Sequence, residues 1–152
     1  AMKKLGKKLF FRLFNLYPPF LGAGIRVSIS SDVKTVTVSM KLRFWNRNYV
    51  NTHYGGSLYS MCDPFFMFLL MENLGRGFIV WDKHSTITFR KPGRGRVHAR
   101  FFIPEEMYAD LRRQAEKGKK LNPRFTVDVL DESGDIVASV EKTLSVRLKQ
   151  QR

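Results

Sequence analysis

The sequence predicts an α+β fold in which a curved antiparallel sheet wraps one long buried helix, and two features of the chain carry that expectation. On either side of the middle, apolar and polar residues alternate with a period of two, as in strands buried on one face. Between these runs, residues 52–74 form a stretch too long and too rich in Leu, Met and Phe for a strand, with apolar residues on every helical face. A helix apolar all round must be enclosed by protein, and a sheet curled around it does so with few elements.

Each element follows in chain order. Residues 2–17 place Leu5, Leu9, Phe10, Leu13, Phe14, Leu16 and Tyr17 on one arc, with Lys4, Lys7, Lys8 and Arg12 opposite, and Pro18-Pro19 stops this helix. It is expected to pack on the body of its own domain, with an anionic membrane surface as the alternative. Residues 25–30 and 35–44 alternate around a turn at Ser31-Asp32, giving a hairpin. The central helix then runs until Gly75 and Gly77 end it. Short strands are expected at 78–81 and 85–90, with Asp82, Lys83 and His84 between them or continuing the pairing. Pro92-Gly93-Arg94-Gly95 forms a turn, and residues 96–103 another strand. Pro104 opens a second helix with Glu105 and Glu106 at its positive end, on which Tyr108, Arg112 and Arg113 are read as surface. A last hairpin joins residues 125–129 to 136–148 through Asp131-Glu132-Ser133-Gly134. The chain reads as one domain over residues 2–152, with 2–19 the basic helix and its Pro-Pro stop and 20–152 the core.

A formal charge of +14 favours anionic partners: nucleic acid, an anionic membrane surface or phosphorylated ligands. No nucleic-acid motif or aromatic platform accompanies the basic residues, which argues against the first. The single cysteine, Cys62, allows no internal disulfide and no clustered zinc site, pointing to a cytoplasmic protein. Set among apolar residues, Cys62 reads as inert packing. The basic helix leaves room for a peripheral place at the inner membrane. A membrane span is a poor reading of 52–74, which Asp63, Pro64 and Glu72 interrupt.

Asp63 is the anomaly, since a carboxylate in an apolar helix loses several kcal/mol of hydration unless it finds partners or a wet cavity. Asn51 or Thr52 can cap the helix, leaving the first N–H groups at Gly55, Gly56 and Ser57 without helical acceptors. Such donors suit a developing oxyanion. Asp63 lies seven residues after Gly56, two turns on, and so on the same face as Gly56, Tyr59 and Ser60, where it can activate water toward a bound electrophile. The equal alternative is that Asp63 bonds backbone that Pro64 leaves unpaired.

The order hairpin, Asn48, Thr52-His53-Tyr54-Gly55-Gly56, Asp63, buried helix and antiparallel run resembles the hotdog-fold thioesterases, in particular the phenylacetate-pathway type. It resembles more closely a bacterial hotdog family of unassigned function, through Trp45-Asn46-Arg47-Asn48, Thr52 to Tyr59, Asp63-Pro64, Val80-Trp81-Asp82-Lys83 and Phe89-Arg90-Lys91-Pro92-Gly93. The resemblance implies an acyl-CoA thioesterase, dimeric or tetrameric, with its site at a subunit interface and no cofactor or metal beyond the coenzyme A thioester it consumes. It implies Asp63 as base or nucleophile, the Gly56 N–H as oxyanion donor and Asn48 as the group orienting thioester or water. Thr52, His53, Tyr54, Gly55, Tyr59, Ser60 and Met67 then line the substrate, and the helix phenylalanines Phe65, Phe66 and Phe68 suit a medium or aryl acyl group. Arg90, Lys91, Arg94 and Arg96 form either a solvated basic turn or the site for coenzyme A phosphates. In one departure, Tyr54 stands where the phenylacetate-type enzymes carry His before Gly-Gly. Two other classes remain: a non-catalytic binder of acyl-CoA or an acyl carrier, and a basic protein of membrane surfaces or nucleic acid. A hotdog dehydratase is weaker, because the His–carboxylate spacing is wrong for it.

Overall fold

Runs that alternate in sequence become strands with one face on the core, and the computed structural model, which describes residues 4–149, contains six of them. The elements are α1 (Lys4–Leu13), a 3₁₀ turn (Phe14–Leu16), α2 (Pro18–Ala23), β1 (Ile25–Ile29), β2 (Thr35–Lys41), α3 (Gly55–Ser60) and α4 (Phe65–Leu74). They continue with β3 (Phe78–Phe89), β4 (Arg96–Phe102), α5 (Glu105–Glu116), β5 (Arg124–Leu130) and β6 (Ile136–Leu148). The strands form one antiparallel sheet in the order β1-β2-β4-β5-β6-β3. β4 and β5 share only the pairs His98↔Leu130 and Ala99↔Val129, and the sheet curls into a half-barrel. The two short strands expected at 78–81 and 85–90 are one strand, β3, which stays paired to β6 across a register shift between Asp82 and His84.

The expected central helix is present over residues 55–74, interrupted once between α3 and α4. Leu58, Met61, Cys62, Phe65, Phe66, Leu69 and Leu70 are buried in one core with Val36, Val38, Val97, Phe101, Val127, Val140 and Leu144 from the strands. Phe66 stacks on Phe125 and meets Phe101 edge-on, so Phe65 and Phe66 build core rather than a substrate pocket.

The outer face of α4 is covered by the N-terminal segment. Phe14 lies 4.9 Å from Phe68 and 6.1 Å from Phe65, ring to ring, and Phe20 lies 6.1 Å from Phe65. Pro18-Pro19 not only ends the preceding helical run but starts α2, because proline at the first helical positions sacrifices only N–H groups that have no partner there anyway. The Asn15 side chain pairs with the Val27 backbone, accepting from its N–H at 2.8 Å and donating to its carbonyl at 3.0 Å, along the outer edge of β1.

α5 departs from the surface reading at Tyr108 and Arg112, and agrees with it at Arg113. Tyr108 is fully buried with Leu111 and Ala115, and the Asn73 amide donates to its hydroxyl at 3.3 Å. Arg112 donates to the Asn73 carbonyl at 2.9 Å, so it fastens α5 to the end of α4, while Arg113 is exposed and pairs with Asp110. The helix stripe that ends in Leu111 and Ala115 includes Tyr108, whose ring is core and whose polar tip needs one partner.

Candidate active site

The interruption of the central helix creates the site. Pro64 has no N–H to continue the ladder, and the residue before a proline is pushed away from helical geometry. The chain therefore tightens: the Cys62 N–H donates to Tyr59 O at 2.8 Å and the Asp63 N–H to Ser60 O at 3.4 Å, both three residues back, and Pro64 stands at the N-cap of α4. Asp63 consequently sits in a turn and not two turns along a continuous face from Gly56. Neither Asn51 nor Thr52 caps α3. Its first position is preceded by Tyr54, which makes no side-chain cap, and the Tyr54 carbonyl accepts from Ser57 and Leu58.

Asp63 is held by a residue of the opposite wall. Lys142 of β6 has a fully enclosed side chain, and its ammonium donates to Asp63 Oδ1 at 2.7 Å and to the Asp63 carbonyl at 2.6 Å, and pairs with Asp82 Oδ1 at 3.1 Å. The Tyr59 hydroxyl donates to the same Asp63 Oδ1 at 2.7 Å, and the ammonium lies 5.6 Å from the Tyr59 ring centre. Asp63 Oδ2 has no hydrogen-bond donor among the described residues, and the side chain remains 47 % exposed. Burial pushes Asp82 above its ordinary carboxyl range, opposed by Lys142, and pushes the Tyr59 hydroxyl up. Burial pulls the Lys142 ammonium down, but Asp63 and Asp82 together more than reverse this and leave it raised. The site is thus a lysine clamped by two carboxylates through one oxygen of each, with the Asp63 side chain the more exposed of the two. Lys83, next to Asp82 in the chain, does not join this group and reaches Asn122 at 3.3 Å instead.

Asp63, Tyr59 and Ser60 line a cavity of about 520 Å³ together with apolar side chains, Phe10, Leu13, Phe14, Phe20 and Phe68 among them. The remaining expected residues lie elsewhere. Gly56 and Tyr54 border a second cavity of about 470 Å³, which meets the first at Ser60. Asn48, Thr52, His53, Gly55, Arg90, Lys91 and Arg94 border a third of about 560 Å³. Met67 packs on the core and borders none of the three.

Within the third group, Asn48 is committed to its own loop. Its amide donates to Thr52 Oγ1 at 2.8 Å and its oxygen accepts from the Val50 and Thr52 N–H groups. The carbonyl of Gly95 can only accept, so His53 Nε2, 3.0 Å away, carries the proton, and the buried Nδ1 has no partner among the described residues. Burial holds the His53 imidazole below its ordinary range, with the Gly95 carbonyl opposing. Lys91 is neutralised by Asp131 at 2.6 Å and Asp135 at 2.7 Å, and Arg96 lies outside the group, its N–H facing Glu132. The glycines are needed for close approach: a Cβ on Gly55 would stand 2.9 Å from the Phe89 ring, and one on Gly56 would stand 2.5 Å from the Tyr54 ring. Cys62 is buried and its thiol is pushed up to about 12 by burial, as expected of an inert residue.

Lys142 was not among the residues expected from sequence, although a signal for it exists. In the alternating run Ile136, Ala138, Val140, Leu144, Val146, Leu148 the inward place between Val140 and Leu144 belongs to Lys142. A cation at an inward strand position needs a buried anion, and the one anomalous carboxylate of the central helix supplies it.

The fold is the hotdog fold, which the chain shares with solved structures of low sequence identity. A Pseudomonas aeruginosa protein of unknown function, named a probable thioesterase, superposes with a TM-score of 0.80 at 20% identity, over 94% of this chain and 96% of its own. A protein of unknown function from Chlorobaculum tepidum gives 0.73 at 18% identity over 97% and 94%, and a Haemophilus influenzae thioesterase gives 0.66 at 14% over 93% and 90%. Among curated proteins none matches the chain. Among the described residues no helix is long and apolar enough to cross a membrane. Residues 6–146 match the DUF4442 domain, a domain of unknown function, and the chain belongs to that family.

Proposed function

We propose that the protein hydrolyses acyl thioesters, with Asp63 as the base. The observation that carries this reading is the Lys142–Asp63–Tyr59 arrangement, which fixes one carboxylate oxygen and leaves Oδ2 without a donor among the described residues, on a side chain that lines a largely apolar cavity. Asp63 Oδ2 takes a proton from water as the hydroxyl oxygen bonds to the thioester carbonyl carbon. The resulting oxyanion is stabilised by a backbone N–H, for which Gly56 is the candidate, and its collapse breaks the C–S bond while the proton passes to the leaving thiolate. Because Gly56 and Asp63 border different cavities within one chain, the reading includes a homodimer that combines them. The unpaired outer edge of β3, with Trp81 and Phe89 exposed on that strand, supports such an assembly. Arg90 and Arg94 are the cations proposed for the phosphates of coenzyme A, since Lys91 is already neutralised.

A non-catalytic acyl-thioester binder is the second reading, favoured by the Tyr54 ring lying over Gly56 in the place where the related enzymes carry His. Chromatographic measurement of acyl-CoA hydrolysis across short, medium, long and aryl chains decides between the two. Asp63→Asn is expected to lose about 100-fold or more of the turnover with the fold intact. Binding of acyl-CoA by the wild type without turnover would establish the binder; turnover that survives Asp63→Asn would remove Asp63 from the chemistry.

A further inference from the structure

The N-terminal segment covers α4 with only part of its apolar surface. Phe14 and Phe20 pack inward, while Leu9, Leu13, Leu16, Tyr17 and Leu21 are exposed, Leu13 at 52% and Leu16 at 65%. All five fall within residues 9–21, on α1, the 3₁₀ turn and α2, so the exposure is concentrated in one segment of the chain. In sequence the same stretch carries Lys4, Lys7, Lys8 and Arg12, and residues 4–31 hold no acidic residue.

This combination selects the occupant. A second copy of the chain would bring another patch of the same sign onto a molecule of formal charge +14, with no acidic residue in the segment to offset it. An anionic bilayer supplies both complements: acyl chains for the leucines and negative headgroups for the lysines and Arg12. We infer that the α1–α2 segment docks on anionic lipid surfaces, with Leu9, Leu13, Leu16, Tyr17 and Leu21 entering the interfacial region. The segment lies in the surface and does not span it, for it holds only short helices broken at Tyr17. Leu13 and Tyr17 also line the Asp63 cavity, so the docking face and that cavity share a wall.

The inference does not depend on thioester hydrolysis, and its test uses no substrate. The full chain is sedimented with phosphatidylglycerol–phosphatidylcholine vesicles and with phosphatidylcholine vesicles alone, at low and high salt, while light scattering follows its mass. Binding is expected to the anionic vesicles only and to weaken with salt. The pair Leu13→Asp/Leu16→Asp is expected to weaken it about tenfold or more, because two apolar anchors are lost. The pair Lys119→Gln/Lys120→Gln, exposed outside the segment and lowering the net charge by the same amount, is expected to leave it nearly unchanged. If the aspartate pair melts early, Leu16→Gln repeats the measurement at the most exposed of these positions. Absence of vesicle binding, or equal losses in the leucine and lysine variants, overturns the proposal, the latter by reducing it to general charge. A wild-type oligomer that the leucine variants dissociate overturns it in favour of a second copy.

Discussion

Replacing Lys142 by Met tests whether the buried ammonium is what the site is built on. Met keeps most of the volume and removes the charge, leaving Asp63 and Asp82 facing each other's field with Tyr59 as the remaining partner of Asp63. Removing one member of a fully buried ion pair costs about 3–5 kcal/mol. Here the lysine is enclosed but the Asp63 and Asp82 side chains are 47% and 32% exposed, so water recovers part of their solvation and the expected cost is about 1–3 kcal/mol. For a chain of this length that lowers the melting temperature by about 3–10 °C at pH 7. The sign of the pH dependence follows from Asp82. Its folded carboxyl is already raised by burial and is held down by Lys142, so the variant raises it further. A raised folded carboxyl binds its proton more tightly than the unfolded one, so acidification relieves the variant's penalty. The gap between wild type and Lys142→Met should be widest near neutrality and narrow as pH falls through the carboxylate range. Circular dichroism melts from neutral to acidic pH measure it. A variant as stable as the wild type at pH 7, or a gap that does not change with pH, would refute the reasoning.

Asp63→Asn keeps a polar side chain in the turn, and its melting temperature should move far less than that of Lys142→Met while turnover disappears; chromatographic assay beside a melt checks both. The vesicle experiment should separate the leucine variants from the lysine variants by about tenfold in affinity. His53 is neutral in the fold with its imidazole lowered by burial, so the unfolded state takes up a proton first as pH falls below about 6.5. Stability should therefore decline between neutral pH and pH 5 more steeply in wild type than in His53→Gln, as denaturant titrations at several pH values would record. The Cys62 thiol, enclosed and pushed up to about 12, should react with a thiol reagent only as fast as the protein opens, so that labelling at neutral pH accelerates sharply with denaturant.

The sheet was legible because a strand buried on one face writes its orientation into every second residue, and Val36, Val38 and Met40 or Val97, Ala99 and Phe101 do so without exception. The central helix was legible from its lack of a polar face. Its interruption was not, because the effect of Pro64 depends on how the three preceding N–H groups find acceptors, which periodicity does not express. Asp63 stood out as a carboxylate in the wrong surroundings, whereas its partner was hidden: Lys142 lies 79 residues away and looks like one of 27 basic residues until its inward register is noticed. The burial of Tyr108 was not legible, because it rests on a partner for its hydroxyl, the Asn73 amide of α4, that the sequence of α5 does not show. The Trp45 to Asn48 motif reads as functional in a row of letters, yet Asn46 ties the Ala23 and Lys41 carbonyls together and Asn48 closes its own loop, so part of what looks like chemistry is the shaping of a loop.

The two margins of the sheet are not equivalent. Along β1 the Asn15 amide already occupies both backbone groups of Val27, imitating one residue of a neighbouring strand, while β3 is open for its full length. Two chains joined margin to margin through β3 would present only plugged margins to the outside. Growth by strand addition would then stop at the pair, and one asparagine more than sixty residues away in sequence from a twelve-residue edge strand would guard that pair against polymerising.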